Sequence, residues 1–375
     1  MEPERQEGES VGSGGGPLVL PRLLGERAPY QPHAAIIDAV EACVLAGAYH
    51  VCVGIEYAGA DSWVCISTQG GGLDPDDRAR DLRIDKLTRR TGLDGLDPVT
   101  ACLYVGRVVT IAGRRPDGSL RVVRWSATSS ADTSEHAGDL IALDAAGAEL
   151  QEAIRSGACC VLVIEQLDAV RGCHWQDGAR VQRVLRAIEE SVRAGISVTL
   201  HRHLTGSRRR RAVTVTVAGR PVEPVDPFGE EEGWRVTQRR RVLPFVVGNA
   251  AHDAAATAYA LVPGGPHPSD EWTASASGGS RAGFYVYTRD RLIQLGGWSR
   301  LQIPHRRVPC VRVAVDVPPL ADGGFVRDLR RVQVRFPPSL TPALKAVALG
   351  AIDLATRRAY PWSSNSLDMA PGAAV

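Results

Sequence analysis

The sequence predicts an α+β protein of two domains, a layered α/β sandwich followed by a smaller α+β unit. Three observations lead there. At 375 residues the chain is long enough for two cores of ordinary size. Its amino-terminal half opens with a helix, two alternating strands and a glycine turn. Beyond a stretch from Pro221 to Glu232 rich in proline, glycine and acid, the second half carries strand-like runs and closes on a helix.

Taken in order, residues 1–28 form an expected disordered tail, because the polar, acidic and glycine-rich start buries too little apolar surface to order itself. From Pro32 to Ala48, Ile36, Ile37, Val40, Val44 and Leu45 recur at helical spacing, and Gly47 supplies a stop after about four turns. Val51, Val53 and Ile55 then alternate as in a half-buried strand, and Ser62 to Ser67 reads as a second strand closed by Gly70, Gly71 and Gly72. Asp74 to Asp97 is charged and broken by turn residues, which predicts a long mobile loop. A short apolar helix is expected over Val99 to Tyr104. A hairpin follows, Arg107 to Gly113 with Arg121 to Ser126, turning at Pro116-Asp117-Gly118. Strands at Cys159 to Ile164 and Ala212 to Val217 flank a helix from Ala179 to Ala194. The expected domains are residues 29–210 and 211–358, with a tail over 359–375. In the second domain strands are expected at Gly283 to Tyr287, Val311 to Val317 and Val332 to Phe336, before a helix from Pro342 to Arg358.

Composition narrows the function classes. With 44 basic and 42 acidic residues the net charge is +2, so no global field argues for a polyanionic partner. Any nucleic-acid contact has to come from local patches, and Arg208 to Arg211 and Arg239 to Arg241 are the candidates. The eight cysteines sit mostly inside apolar runs and read as reduced core residues. No CxxC pair or zinc-ligand spacing occurs, and no apolar stretch approaches the roughly 20 residues that a membrane span needs. A soluble cytoplasmic protein with no metal staple and no membrane partner is expected. A P-loop is excluded, because Lys86 and Lys345 lack its glycine spacing.

Helix, strand, strand and glycine turn is also the element order of the Bergerat nucleotide fold. Ala35 to Ala48 (AIIDAVEACVLAGA) resembles AIAELIDNSLDAGA of the bacterial MORC-like ATP-binding proteins. Ile66 to Leu73 (ISTQGGGL) resembles the VxDNGxGM turn, and Gly92 to Arg107 (GLDGLDPVTACLYVGR) resembles GRFGLGLKTASLSLGR. Downstream, Ala212 to Phe228 ends in the DPF of the family, and Gly283 to Trp298 (GFYVYTRDRLIQLGGW) resembles GFYVYRNDRLIQxGGW. The matches are collinear over roughly residues 30 to 355. They identify a relative of the GHKL superfamily of gyrase B, MutL and MORC proteins, with a Bergerat-type sandwich followed by a transducer-like domain.

The resemblance implies roles for particular positions. Asp38 stands at the Glu that activates water, Ala42 at the Asn that binds Mg²⁺, and Glu41 at a neighbouring Asp turned partly elsewhere, where it is a second catalytic candidate able to substitute. An aspartate is one methylene too short for the productive geometry, and Ala42 has no oxygen for a hard cation. Thr68 replaces the Asp that accepts from adenine, Gln69 follows it, and Gly70 and Gly72 keep the backbone open to close approach. Gly92 and Gly95 of the lid remain, while Asp97 stands at a glycine and Val99 at the phosphate-contacting lysine. Arg331, beside Arg330, stands at the transducer lysine that reaches the terminal phosphate. Tyr285, Tyr287 and Trp298 read as core aromatics, and His201, His203 and His305 as core or surface residues.

The favoured expectation is a regulatory or scaffold module with weak or absent ATP hydrolysis, acting on an unidentified protein client. ATP is the expected nucleotide, weakly held, with Mg²⁺ left open. The alternatives are a Mg-ATP-dependent ATPase that dimerises on nucleotide binding, in DNA transactions or defence, and a DNA-associated protein using its arginine runs.

Overall fold

The computed structural model describes residues 31–75, 97–115, 117–126, 138–170, 178–207, 211–229, 235–261, 282–301, 303, 311–319, 325–328 and 333–359. Helix α1 (Pro32–Leu45) starts on a proline in its first turn, where a missing N–H costs nothing, and leads into strand β1 (His50–Glu56). After β2 (Trp63–Gln69) come α2 (Pro98–Leu103), the hairpin β3 (Gly106–Arg114) and β4 (Leu120–Ser126), and β5 (Asp139–Leu140). Then follow α3 (Ala148–Arg155), β6 (Cys160–Leu167), α4 (Gly178–Thr199), α5 (His201–Thr205), β7 (Thr214–Val217) and β8 (Arg220–Pro221). These strands form one sheet in the order β5-β4-β3-β6-β2-β1-β7-β8, antiparallel except where β7 runs parallel to β1.

Alternation along the strands sorts the two faces of this sheet. Val51, Val53, Val64 and Ile66 point to a core shared with α1, α2 and α4, through Ile36, Val40, Val99, Cys102, Leu185 and Ile196. The opposite face packs Val122, Val161 and Val163 under Leu150 and Ile154 of α3.

The second sheet contains β9 (Arg235–Thr237), β10 (Arg241–Val247), β11 (Ala250–Leu261), β12 (Gly283–Thr288), β13 (Arg291–Leu295) and β14 (Val311–Asp316). Its order is β10-β11-β14-β12-β13, with β9 added on β11. The short strands β15 (Val326–Asp328) and β16 (Gln333–Arg335) pair with each other, and α6 (Thr341–Ala359) closes the chain. One face of the sheet packs Phe284, Val286, Val313 and Val315 against Leu344, Val347, Ala348 and Ala351 of α6. The other face meets the first unit. There Tyr285, Tyr287, Leu292, Leu295 and Ala314 surround Phe228 and Val198.

Two expectations are revised. The boundary at residue 210 falls inside the first sheet, because β7 hydrogen-bonds along β1 and buries Val215 and Val217 in that core. The helix expected over 179–194 runs to Thr199, since Ile196 and Val198 keep it buried past Ala194. The Arg239 to Arg241 run leads directly into strand β10, with Arg241 paired across to Ala256.

Candidate functional site

Helix α1 carries two carboxylates through an otherwise apolar interior. Asp38 is 4 % exposed and Glu41 is 8 % exposed, while Ile36, Ile37, Ala39 and Val40 around them are buried. Spaced three residues apart, they share one helical face. Burying two carboxylates is costly without a cation, and the second sheet provides one. Arg291, the first residue of β13, donates Nη2–H to Oδ1 of Asp38 and Nη1–H to Oε2 of Glu41. Arg291 is itself 3 % exposed, so all three charges sit inside the protein at the junction of the units. Glu41 therefore does not turn partly elsewhere, as its place in the resemblance suggested; it lies beside Asp38 and shares its cation.

A tight hairpin delivers that cation. Thr288 pairs with Arg291, and the two residues between them, Arg289 and Asp290, have φ of 49° and 66°. Positive φ at both central positions is the geometry whose twist matches antiparallel strands, at a cost of about 1–3 kcal/mol for a side chain such as that of Arg289. The first unit braces the turn. His203 Nε2–H donates to the Arg289 carbonyl at 3.0 Å, which fixes its tautomer, since a carbonyl only accepts. Arg202 pairs with Asp316, lies 3.6 Å from Asp290, and places its guanidinium 3.4 Å from the Tyr287 ring centre. His201 Nε2 lies 2.9 Å from the Tyr287 hydroxyl. Burial, with the neighbouring Arg202 and His203, pushes the His201 pKa down to about 3, so the ring is neutral near pH 7. Burial likewise raises the Tyr287 hydroxyl well above its usual value, so it stays protonated.

The linker adds an apolar joint. Phe228 lies 4.3 Å from Tyr259 and 5.1 Å from Tyr285, ring centre to ring centre, and Arg312 donates to the Pro227 carbonyl just before it. Tyr285, Tyr287 and Trp298 are buried core aromatics.

The glycine turn after β2 is shaped by the chain's own packing. A Cβ on Gly70 would lie 2.4 Å from the Tyr49 ring, one on Gly71 2.2 Å from the Ala46 carbonyl oxygen, and one on Gly72 2.2 Å from Cys160 Cβ. Thr68, 2 % exposed, spends its hydroxyl hydrogen on the Gly71 carbonyl at 2.6 Å. Gln69 beside it is exposed. Tyr49, Ala46 and Cys160 thus stand where a side chain at these positions would go, so the packing of the turn itself requires glycine.

At the far end of the loop, Asp97 caps α2. Its Oδ1 accepts from the amides of Val99 at 2.9 Å and Thr100 at 3.5 Å, so a carboxylate of the chain already holds the helix-start N–H groups. Val99, at the lysine position of the resemblance, is fully buried in the first core. Gly92, Gly95, Arg330, Arg331, His305 and Arg208 to Arg210 lie outside the described residues. Arg211 places its guanidinium 5.1 Å from the ring centre of Tyr49, and Arg239 to Arg241 are exposed.

The structure thus brings Asp38 and Glu41 together, keeps Thr68, Gln69, Gly70 and Gly72 in one turn, and adds Arg291, which sequence reasoning passed over. The sequence signal for it was slight: an arginine opening a short run with Leu292, Ile293 and Leu295, which the structure buries throughout. The described residues do not fit Mg-ATP. Both carboxylates are engaged by a guanidinium, Ala42 has no donor oxygen, and the α2 amides are capped. Among the described residues no group of three or more His, Cys, Asp or Glu is placed to hold a metal ion. No described helix is long and apolar enough to cross a membrane.

No family model matches the sequence, and no curated protein matches it. Among solved structures, the N-terminal domain of a DNA repair protein is similar with a TM-score of 0.46 at 11 % identity, over 91 % of this chain and 97 % of that one.

Proposed function

We propose that this chain is a GHKL-type module whose nucleotide-handling carboxylates have become a structural joint, and that it acts as a regulator or scaffold with weak or absent ATP hydrolysis. One observation carries the reading: Arg291 of the second unit bonds both Asp38 and Glu41, the residues that the family resemblance assigns to water activation and its neighbour. A general base must be free to take a proton from water, and a carboxylate held by a buried guanidinium is a poor one. The capped α2 and the buried Val99 support the same reading, because a triphosphate would meet the Asp97 carboxylate there and a valine at the lysine position.

Titration calorimetry with Mg-ATP, paired with a phosphate-release assay, tests it. Turnover at the level of the enzyme-free blank is expected. Hydrolysis that is robust and disappears in Asp38→Ala overturns the proposal.

A second reading has one observation in its favour. Asp38 and Glu41 lie side by side, as a base and a metal ligand would if Arg291 withdrew. In that reading the chain is an ATPase that dimerises around nucleotide, and dimerisation that depends on Mg²⁺ and a non-hydrolysable analogue would establish it.

A further inference from the structure

The first sheet carries a second group of chemically active side chains, on the face turned away from α1. Val51 and Val53 of β1 point into the core, so His50, Cys52 and Gly54 lie on the opposite face. Register supplies the neighbours of Cys52 there. Ser67 of β2 pairs across from it on one side and Thr216 of β7 on the other, while His50 and Gly54 flank it along its own strand. His50 Nε2 lies 3.5 Å from Cys52 Sγ, within hydrogen-bond reach of a thiol. His50, Cys52, Ser67 and Thr216 are all half-buried, and among the described residues neither hydroxyl is engaged by another group of the chain. A Cβ built on Gly54 meets, among the described residues, only the Cys65 carbonyl oxygen at 3.9 Å, so room remains beside the thiol.

The surroundings of the other described cysteines separate Cys52 from them. Cys43, Cys102 and Cys160 are buried. Burial pushes the Cys65 thiol up to about 12, with Glu149 adding to the effect, so Cys65 stays protonated near pH 7. Cys159 is half-buried like Cys52, but among the described residues no imidazole bonds it. A thiol becomes an effective nucleophile when a base within hydrogen-bond reach takes its proton, and oxidation selects accessible thiols so placed. Cys52 meets both conditions. Its sulfur has no disulfide partner at hand, because Cys65 sits diagonally from it, opposite Gly54, at a Cα spacing of roughly 7–8 Å that exceeds disulfide reach.

We propose that Cys52 is a site of oxidation by hydroperoxides, with His50 as the base that frees its sulfur and with the product held as the sulfenic acid. The sulfur attacks one peroxide oxygen. An S–O bond forms as the O–O bond breaks, the sulfur gives up two electrons, and the other oxygen departs as water or an alcohol. His50 takes the thiol proton at Nε2 and returns it to the departing oxygen, toward which the Ser67 and Thr216 hydroxyls donate as charge builds there. This rests on the outer face of β1 alone and stands whether or not the chain hydrolyses ATP.

The test treats the reduced full chain with hydrogen peroxide in the presence of dimedone, which traps sulfenic acids, and follows each cysteine over time by peptide mass spectrometry. Labelling of Cys52 about tenfold or more faster than Cys159 is expected. His50→Gln slows Cys52 about tenfold or more and leaves Cys159 at its own rate, and Cys52→Ser removes the fast label. Ser67→Ala with Thr216→Val slows Cys52 several-fold. An unchanged melting temperature and an unchanged Cys159 rate confirm that the variants keep the fold. Labelling of Cys52 no faster than Cys159, a rate indifferent to His50→Gln, or closure of a Cys52–Cys65 disulfide in place of the dimedone adduct overturns the proposal.

Discussion

Replacing Arg291 with methionine removes the guanidinium that bonds both Asp38 and Glu41 inside the protein. Removing one partner of a buried ion pair costs about 3–5 kcal/mol, because the remaining charge stays desolvated. Here one substitution takes the same guanidinium from two buried carboxylates, so a loss in that range is expected for Arg291→Met. Against the roughly 5–15 kcal/mol of a folded domain this is a large fraction. The informative partner is Asp38→Leu, Glu41→Met, Arg291→Met, which removes all three charges and keeps the volume filled. Exchanging a whole buried ion cluster for apolar groups is often neutral, so the triple variant recovers most of the loss. Urea denaturation followed by circular dichroism measures both. A loss below about 1 kcal/mol for Arg291→Met, or a triple variant no more stable than the single one, refutes the joint.

Three further outcomes follow from the same geometry. Gly72→Ala sets a methyl group 2.2 Å from Cys160 Cβ, and the overpacking lowers stability by about 1–3 kcal/mol, read as a shift in urea midpoint. Phe228→Ala empties the aromatic joint and costs about 3–5 kcal/mol, with limited proteolysis cutting faster around the linker at Asp226 to Gly229. His201 is held neutral, with a folded pKa near 3 against 6.5 when unfolded, so the unfolded chain binds the extra proton. Its contribution is complete above pH 6.5 and declines by ~1.4 kcal/mol per pH unit as pH falls toward 3. His201→Gln therefore shows a shallower loss of stability than the parent between pH 6 and 4, in urea titrations at each pH.

Much of the framework was legible locally. Alternation at Val51, Val53 and Ile55, the helical spacing of Ile36, Ile37 and Val40, and the turn before Ser119 each encode an element through side-chain periodicity or turn chemistry. Strand β11 was missed because alanine repeats such as Ala254-Ala255-Ala256 carry little strand signal, and pairing with β9, β10 and β14 holds it extended, while Pro244 interrupts the apolar run of β10. The first unit's end was misplaced for a related reason. The expected boundary lay at residue 210, yet the strand that follows from Thr214 hydrogen-bonds back to β1.

The site divides along the same line. From the sequence alone it followed that Asp38 and Glu41 sit on a largely apolar helix, that Ala42 offers a cation nothing, and that a glycine turn follows β2. Tertiary structure decided what those carboxylates face, because the guanidinium that neutralises them lies 253 and 250 residues away in the chain. It also decided that Asp97 caps a helix and that Gly72 makes room for Cys160. Spacing along a chain encodes which face of an element is buried. The charge that compensates a buried group comes from whichever segment folding lays against it, and here that segment is the β13 end of a hairpin in the other sheet.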